Sequence, residues 1–85
     1  MSEHIMGSVY EAQRLAKEVR RAIAAARWEI AEDTARLKRV LAVRDCTEDE
    51  RRLAWNEQAS QDLEDATCAI NDVAEHLDDI RDEAR

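Results

Sequence analysis

Apolar residues recur along this chain at alternating intervals of three and four, the pattern of helices that each bury one stripe. One stripe comprises Val9, Ala12, Ala16, Val19, Ile23, Ala26, Ile30, Asp33, Leu37 and Val40. The other comprises Trp55, Ala59, Leu63, Ala66, Ile70, Val73, Leu77, Ile80 and Ala84. We call these positions together the predicted seam, and they indicate two helices packed side by side at a shallow angle.

Two capping boxes mark where the helices are expected to begin. Ser8 is followed three residues later by Glu11, and Thr47 in the same way by Glu50. We therefore expect helices over residues 9–44 and 48–84, joined so closely that they form a long antiparallel helical hairpin. Residues 1–7 are set aside as a flexible leader, and residues 8–85 form a single domain, since a chain of 85 residues is too short for two.

Two seam positions carry expectations of their own. Trp55 is expected to pack in the core near the loop. Asp33 interrupts the apolar pattern, and a buried carboxylate is costly unless it is paired. It either fixes the register of the hairpin or lies where the seam meets water, and of these two roles we expect the second.

Trp28 lies on the side of its helix opposite the predicted seam. Small residues surround it, and Tyr10 falls on almost the same side. One partner helix can cover only one face, so these residues predict a contact from outside the hairpin. We assign it first to a homodimer that forms a four-helix bundle, with an anchor for a foreign protein as the alternative. The predicted apolar interface is Tyr10, Ala24, Trp28, Ala31 and Ala35.

Charge is divided unevenly between the two helices. The chain carries a net charge of −7, with residues 48–85 strongly acidic and residues 1–47 mildly basic. In an antiparallel hairpin Lys17 and Arg20 lie level with Glu75 and Asp72, so ion pairs between the helices are expected.

Acidic residues of the second helix are expected on the face opposite the seam. This outer acidic face comprises Asp65, Cys68, Asp72, Glu75, His76, Asp79, Asp82 and Glu83. It is either a solvated surface or a docking surface for a basic protein, to which electrostatic attraction would steer it. The residues predicted to bind such a partner are Asp65, Asp72, Glu75, Asp79, Asp82 and Glu83.

No residue pattern indicates catalysis, a cofactor or a metal. The chain has no glycine-rich phosphate loop and no nucleophile with a base at recognisable spacing. Asp72, His76 and Asp79 have a spacing that could present metal ligands, but one exposed helix face offers no shielded pocket. Cys46 and Cys68 would lie about 33 Å apart along a helix, too far for an intramolecular disulfide, although a Cys68 pair across a symmetric dimer stays open.

The chemistry of the chain indicates protein binding. Direct nucleic-acid binding is disfavoured because it depends on Lys and Arg, and no apolar run is long enough to span a membrane. We expect a cytoplasmic, non-enzymatic module that blocks or bridges a protein with a basic, nucleic-acid-binding surface. Small acidic phage-type inhibitors, anti-CRISPR proteins among them, are a class with this character. The alternative is a self-associating structural bundle with no foreign partner.

Overall fold

Two long antiparallel helices form the whole of the described structure. The computed structural model describes the backbone of residues 3–83 and the side chains of residues 6–83, so seam position Ala84 lies outside the described residues. Helix α1 spans Glu3–Leu41 and helix α2 spans Thr47–Glu83. They pack along their length as a hairpin of 62 × 15 × 14 Å, which confirms the predicted all-α hairpin.

The first helix differs from the prediction at both ends. It begins at Glu3, so Ser8 lies inside the helix and does not cap it. At the other end α1 stops at Leu41, although the amide of Arg44 still donates to the carbonyl of Val40 at 3.1 Å. The helical bonding pattern thus fades into the loop over residues 42–44, the zone where helix ends ordinarily fray.

The second helix begins close to the predicted position. The carbonyl of Cys46 accepts the first helical hydrogen bond, from the amide of Glu50 at 3.0 Å. The N-cap is therefore Cys46, one residue before the predicted capping box at Thr47. Glu48, Asp49 and Glu50 follow in the first turn, where carboxylates interact favourably with the helix dipole.

The contact stripe is the set of residues that each helix shields with the other. On α1 it includes Val9, Ala12, Ala16, Ile23, Ala26, Ile30, Asp33, Leu37 and Val40. On α2 it includes Leu53, Asn56, Ala59, Leu63, Ala66, Ile70, Ala74, Leu77 and Arg81. Most of the predicted seam is thus confirmed, but Val19, Val73 and Ile80 lie at its edge and are exposed.

The prediction that Trp55 packs in the core is wrong. Its side chain is 68 % exposed, and Leu53 and Asn56 occupy the contact stripe on either side of it. Counting back from Ala59 by four residues reaches Trp55, whereas counting back by three reaches Asn56. In the structure Asn56 occupies the contact stripe, and its side-chain amide donates a hydrogen bond to Asp33 of α1.

The hydrophobic core of the hairpin is small. Among the described residues only Val9, Ala16 and Leu37 are buried. The accessible surface is 6518 Å², against about 5,200 Å² for a compact monomeric protein of this mass. The hairpin therefore leaves about 1,300 Å² more surface in water than a globular chain of the same size.

Shortening the most buried large side chain tests the contact stripe. Leu37 is 4 % exposed, and Leu37→Ala should lower the free energy of unfolding by about 2–3 kcal/mol through lost burial and a cavity. Urea denaturation at one fixed protein concentration measures this. Val43→Ala, in the exposed loop, should change it by less than about 0.5 kcal/mol. Equal costs for the two variants would show that the stripe is not the core.

Candidate interaction surfaces

Asp33 is the centre of the main polar cluster between the two helices. Its carboxylate accepts hydrogen bonds from Asn56 Nδ2 at 2.7 Å and from Arg52 Nε and Nη2 at 2.8 and 3.0 Å. Arg36, one turn further along α1, donates to the same carboxylate. The Asp33 side chain is only 17 % exposed. It is therefore paired across the hairpin, and of the two predicted roles the geometry supports fixing the register.

The same contacts change the acidity of Asp33. The hydrogen bond from Asn56 holds the pKa of this carboxyl below its ordinary value, and Arg36 and Arg52 act in the same direction against the effect of burial. The ionised form is thus the one that the cluster stabilises. Sequence reasoning found Asp33 but missed its partners Arg52 and Asn56, whose signal would have been their register opposite Asp33 in an antiparallel hairpin.

The ion pairs expected between Lys17 or Arg20 and the acids of α2 do not form. Instead, Gln13 Nε2 donates to Asp78 Oδ1 at 2.8 Å, and this hydrogen bond crosses between the helices near their open end. Lys17 and Arg20 line a groove together with Glu75, without reaching ion-pair distance. The prediction placed these residues at the correct level but assigned them the wrong contacts, because long exposed side chains gain little from such pairing.

All eight residues of the outer acidic face are exposed, as the helical pattern predicts. Asp65 Oδ1 accepts a hydrogen bond from Gln61 Nε2 at 3.2 Å. Asp82 Oδ1 lies 3.7 Å from Arg81 Nε, within ion-pair distance. The other four carboxylates of the face form no ion pair with any residue in the part of the chain that the structure describes. These unpaired acids are Asp72, Glu75, Asp79 and Glu83.

Trp28 is exposed on a face that the hairpin does not cover. Its side chain is 67 % exposed and borders a shallow groove with Ala24, Ala31 and, from α2, Ser60. Ala31 and Ser60 also line the adjoining depression, which extends the groove to Ala35.

The groove beside Trp28 brings together most of the predicted apolar interface, but not all of it. Tyr10 is half-exposed on the same line of α1, yet eighteen residues correspond to five helical turns, or about 27 Å. Charged side chains of both signs border the groove, including Arg27, Lys38 and Glu57. Trp28 and the alanines form one site, therefore, and Tyr10 lies apart from it.

Other candidate chemistry is sparse on these surfaces. Cys46 and Cys68 are both free thiols, and the side chain of Cys68 is exposed. Among residues 6–83, no three His, Cys, Asp or Glu side chains are grouped so that they could hold a metal ion, and Asp72, His76 and Asp79 are no exception. Neither described helix contains a stretch long and apolar enough to cross a membrane.

Comparisons of the chain with protein-family models, with characterised proteins and with solved structures find no match.

The lowered pKa of Asp33 predicts how stability depends on pH. A carboxyl with a depressed folded-state pKa contributes stability that is complete above its unfolded value of about 4 and is lost as the pH falls through the folded value. Asp33→Asn should therefore lower Tm by about 5 °C at neutral pH, and this deficit should shrink below pH 4. Thermal melts followed by circular dichroism across this range measure it.

Glu11→Gln is the matched control for that experiment. The pKa of Glu11 is also lowered, by its hydrogen bonds with Arg14, but both side chains are exposed on one helix. Its removal should change Tm much less than the removal of Asp33. A Tm deficit of Asp33→Asn that stays constant down to pH 2 would contradict the role of the ionised carboxylate.

Proposed function

We propose that this chain is a non-enzymatic protein-binding module whose outer acidic face docks on a basic surface of a partner protein. The observation that carries the proposal is the row of exposed carboxylates without ion-pair partners on α2. Acids that only balance nearby bases are paired within the fold, as Asp33 is by Arg52. Asp72, Glu75 and Asp79 instead leave their charge available to another molecule.

The row of acids is held on a rigid support. From Asp65 to Glu83 it follows eighteen residues of uninterrupted helix, a length of about 27 Å. Because the helix fixes the spacing of the carboxylates, little backbone entropy is lost when they bind. The net charge of −7 also attracts a basic partner over long range at low ionic strength.

A basic surface that binds nucleic acid is the partner that fits best. Such surfaces present rows of Lys and Arg to phosphates, and a thin acidic rod can occupy the same groove. The module would then act by steric blocking, as expected of a phage-type inhibitor, anti-CRISPR proteins included. Nucleic acid itself would be repelled by the outer acidic face.

A structural role with no foreign partner is the second candidate. The small core and the large exposed surface favour it, because association with copies of itself would bury part of that surface. The two candidates differ in what the outer acidic face does. In the structural candidate it only keeps the assembly in solution.

Neutralising the outer acidic face separates these candidates. Asp72→Asn, Glu75→Gln and Asp79→Asn combined should abolish capture of basic proteins from extracts of the source cell, measured by mass spectrometry. Capture by the unchanged chain should also weaken as ionic strength rises from about 0.1 to 0.5 M.

The matched control neutralises three exposed acids elsewhere, Glu29→Gln, Glu32→Gln and Glu48→Gln, with the same change in net charge. We expect this control to capture the same basic proteins as the unchanged chain. Equal loss in both variants would indicate a dependence on net charge alone. Equal retention in both would remove the acidic face from any binding role.

A further inference from the structure

A stripe of apolar side chains lies exposed along one side of the hairpin near its open end. Leu15, Val19, Val73 and Ile80 are each 40–46 % exposed. We call these four residues the apolar flank. Three of them were predicted in the seam, and the structure places them at its edge, where α1 and α2 cover only part of each side chain.

The helical geometry places all four on the same side. On α1, successive side chains are rotated by about 100° about the helix axis. Relative to Ala16, Lys17 and Arg20 are rotated in one direction, and Leu15 and Val19 in the other. The same measurement on α2 starts from Leu77. The side chains of Asp78 and Arg81 are rotated from it in one direction about the helix axis, and those of Val73 and Ile80 in the other.

The groove that Lys17 and Arg20 line shows which directions of rotation on the two helices lead to the same side of the hairpin. It combines Lys17 and Arg20 with Asp78 and Arg81, so equal turning directions lead to the same side of the hairpin. The four residues of the apolar flank therefore share the opposite side.

The residues of the apolar flank also lie at matching levels along the rod. The hydrogen bond from Gln13 to Asp78 sets the pairing of the two antiparallel helices near the open end. Leu15 and Val19, two and six residues beyond Gln13, then lie level with residues 72–76 of α2. Val73 is in this range, and Ile80 lies two turns further towards the open end.

We propose that the apolar flank is the surface on which a second copy of this chain docks, side by side, to form a four-helix bundle. In a two-fold dimer each copy uses the same patch, and an uncharged patch meets no like charge on its equivalent. The outer acidic faces would repel each other, since the chain has a net charge of −7. The apolar flank is thus the side on which two copies approach at least electrostatic cost.

The surface area of the hairpin supports the same occupant. The whole hairpin exposes about 1,300 Å² more than a compact chain of its mass, so its surface has room for a standard interface of about 800 Å² on each partner. With three buried residues in the described part, the hairpin gains stability from any further apolar burial.

Sedimentation equilibrium across a wide range of concentration tests the proposal. We expect the unchanged chain to reach twice its mass of 9.8 kDa. Val19→Glu with Val73→Glu should raise the dissociation constant of the dimer by about 100-fold. The matched control Trp28→Glu also places a carboxylate at an exposed apolar position. The sequence assigned Trp28 first to a homodimer, but the apolar-flank proposal places it outside the dimer interface, so this variant should leave the dimer intact.

Three results would overturn the apolar-flank proposal. They are a monomeric unchanged chain at all concentrations, a dimer that the flank variant keeps, whether or not Trp28→Glu loses it, and equal loss in both variants. Should circular dichroism show that the flank variant loses its helices, Val19→Thr with Val73→Thr replaces it, with Val43→Thr as its control. All acids of the outer face remain in these variants, so the outcome is independent of the proposed binding function.

Discussion

Two helices that meet along one stripe can shield only part of each other's circumference, and the features of this hairpin depend on that limit. A bundle of three or four helices encloses an interior, whereas here only Val9, Ala16 and Leu37 are buried among the described residues. Apolar burial alone therefore defines the pairing of the helices weakly. The cluster around Asp33 adds a directional constraint, because its carboxylate receives hydrogen bonds from α2 only when Arg52 and Asn56 lie opposite it.

The periodicity of the sequence was enough to predict the two helices and most of the contact stripe, and the short loop between the helices predicted their antiparallel packing. The periodicity could not decide which residue packs between the helices where two adjacent positions both fit the three-and-four spacing. Trp55 and Asn56 are such a pair, and hydrophobicity alone favours Trp55. The outcome depends on a hydrogen bond to the other helix, and periodicity within a single helix contains no information about that bond.

The helix ends and the surface pairing were harder to predict for related reasons. Ser8 has the sequence of a cap, yet the residues before it also form helix, so the cap is not used. Lys17 and Arg20 were placed at the correct height along the hairpin. Exposed ion pairs contribute so little free energy, however, that equal height alone does not determine which contacts form. The exposed positions of Trp28 and of the outer acidic face followed directly from helical geometry, whereas their roles depend on partners outside the chain.

The three surfaces of the hairpin differ in chemical character. The outer acidic face is charged and rigid, and four of its carboxylates have no ion-pair partner among the described residues, which is why we propose it as the surface for a basic partner. The apolar flank is uncharged and lies on the side away from the groove of Lys17 and Arg20, and we assign it to a second copy. The groove beside Trp28 combines small side chains with charges of both signs, and a dimer through the apolar flank leaves it open.

Small-angle X-ray scattering of the unchanged chain tests the side-by-side assembly most directly, because it reports mass and length together. We expect twice the mass of 9.8 kDa and a longest dimension close to the 62 Å of one hairpin. A monomeric mass, or a dimer about twice as long as one hairpin, would contradict docking through the apolar flank.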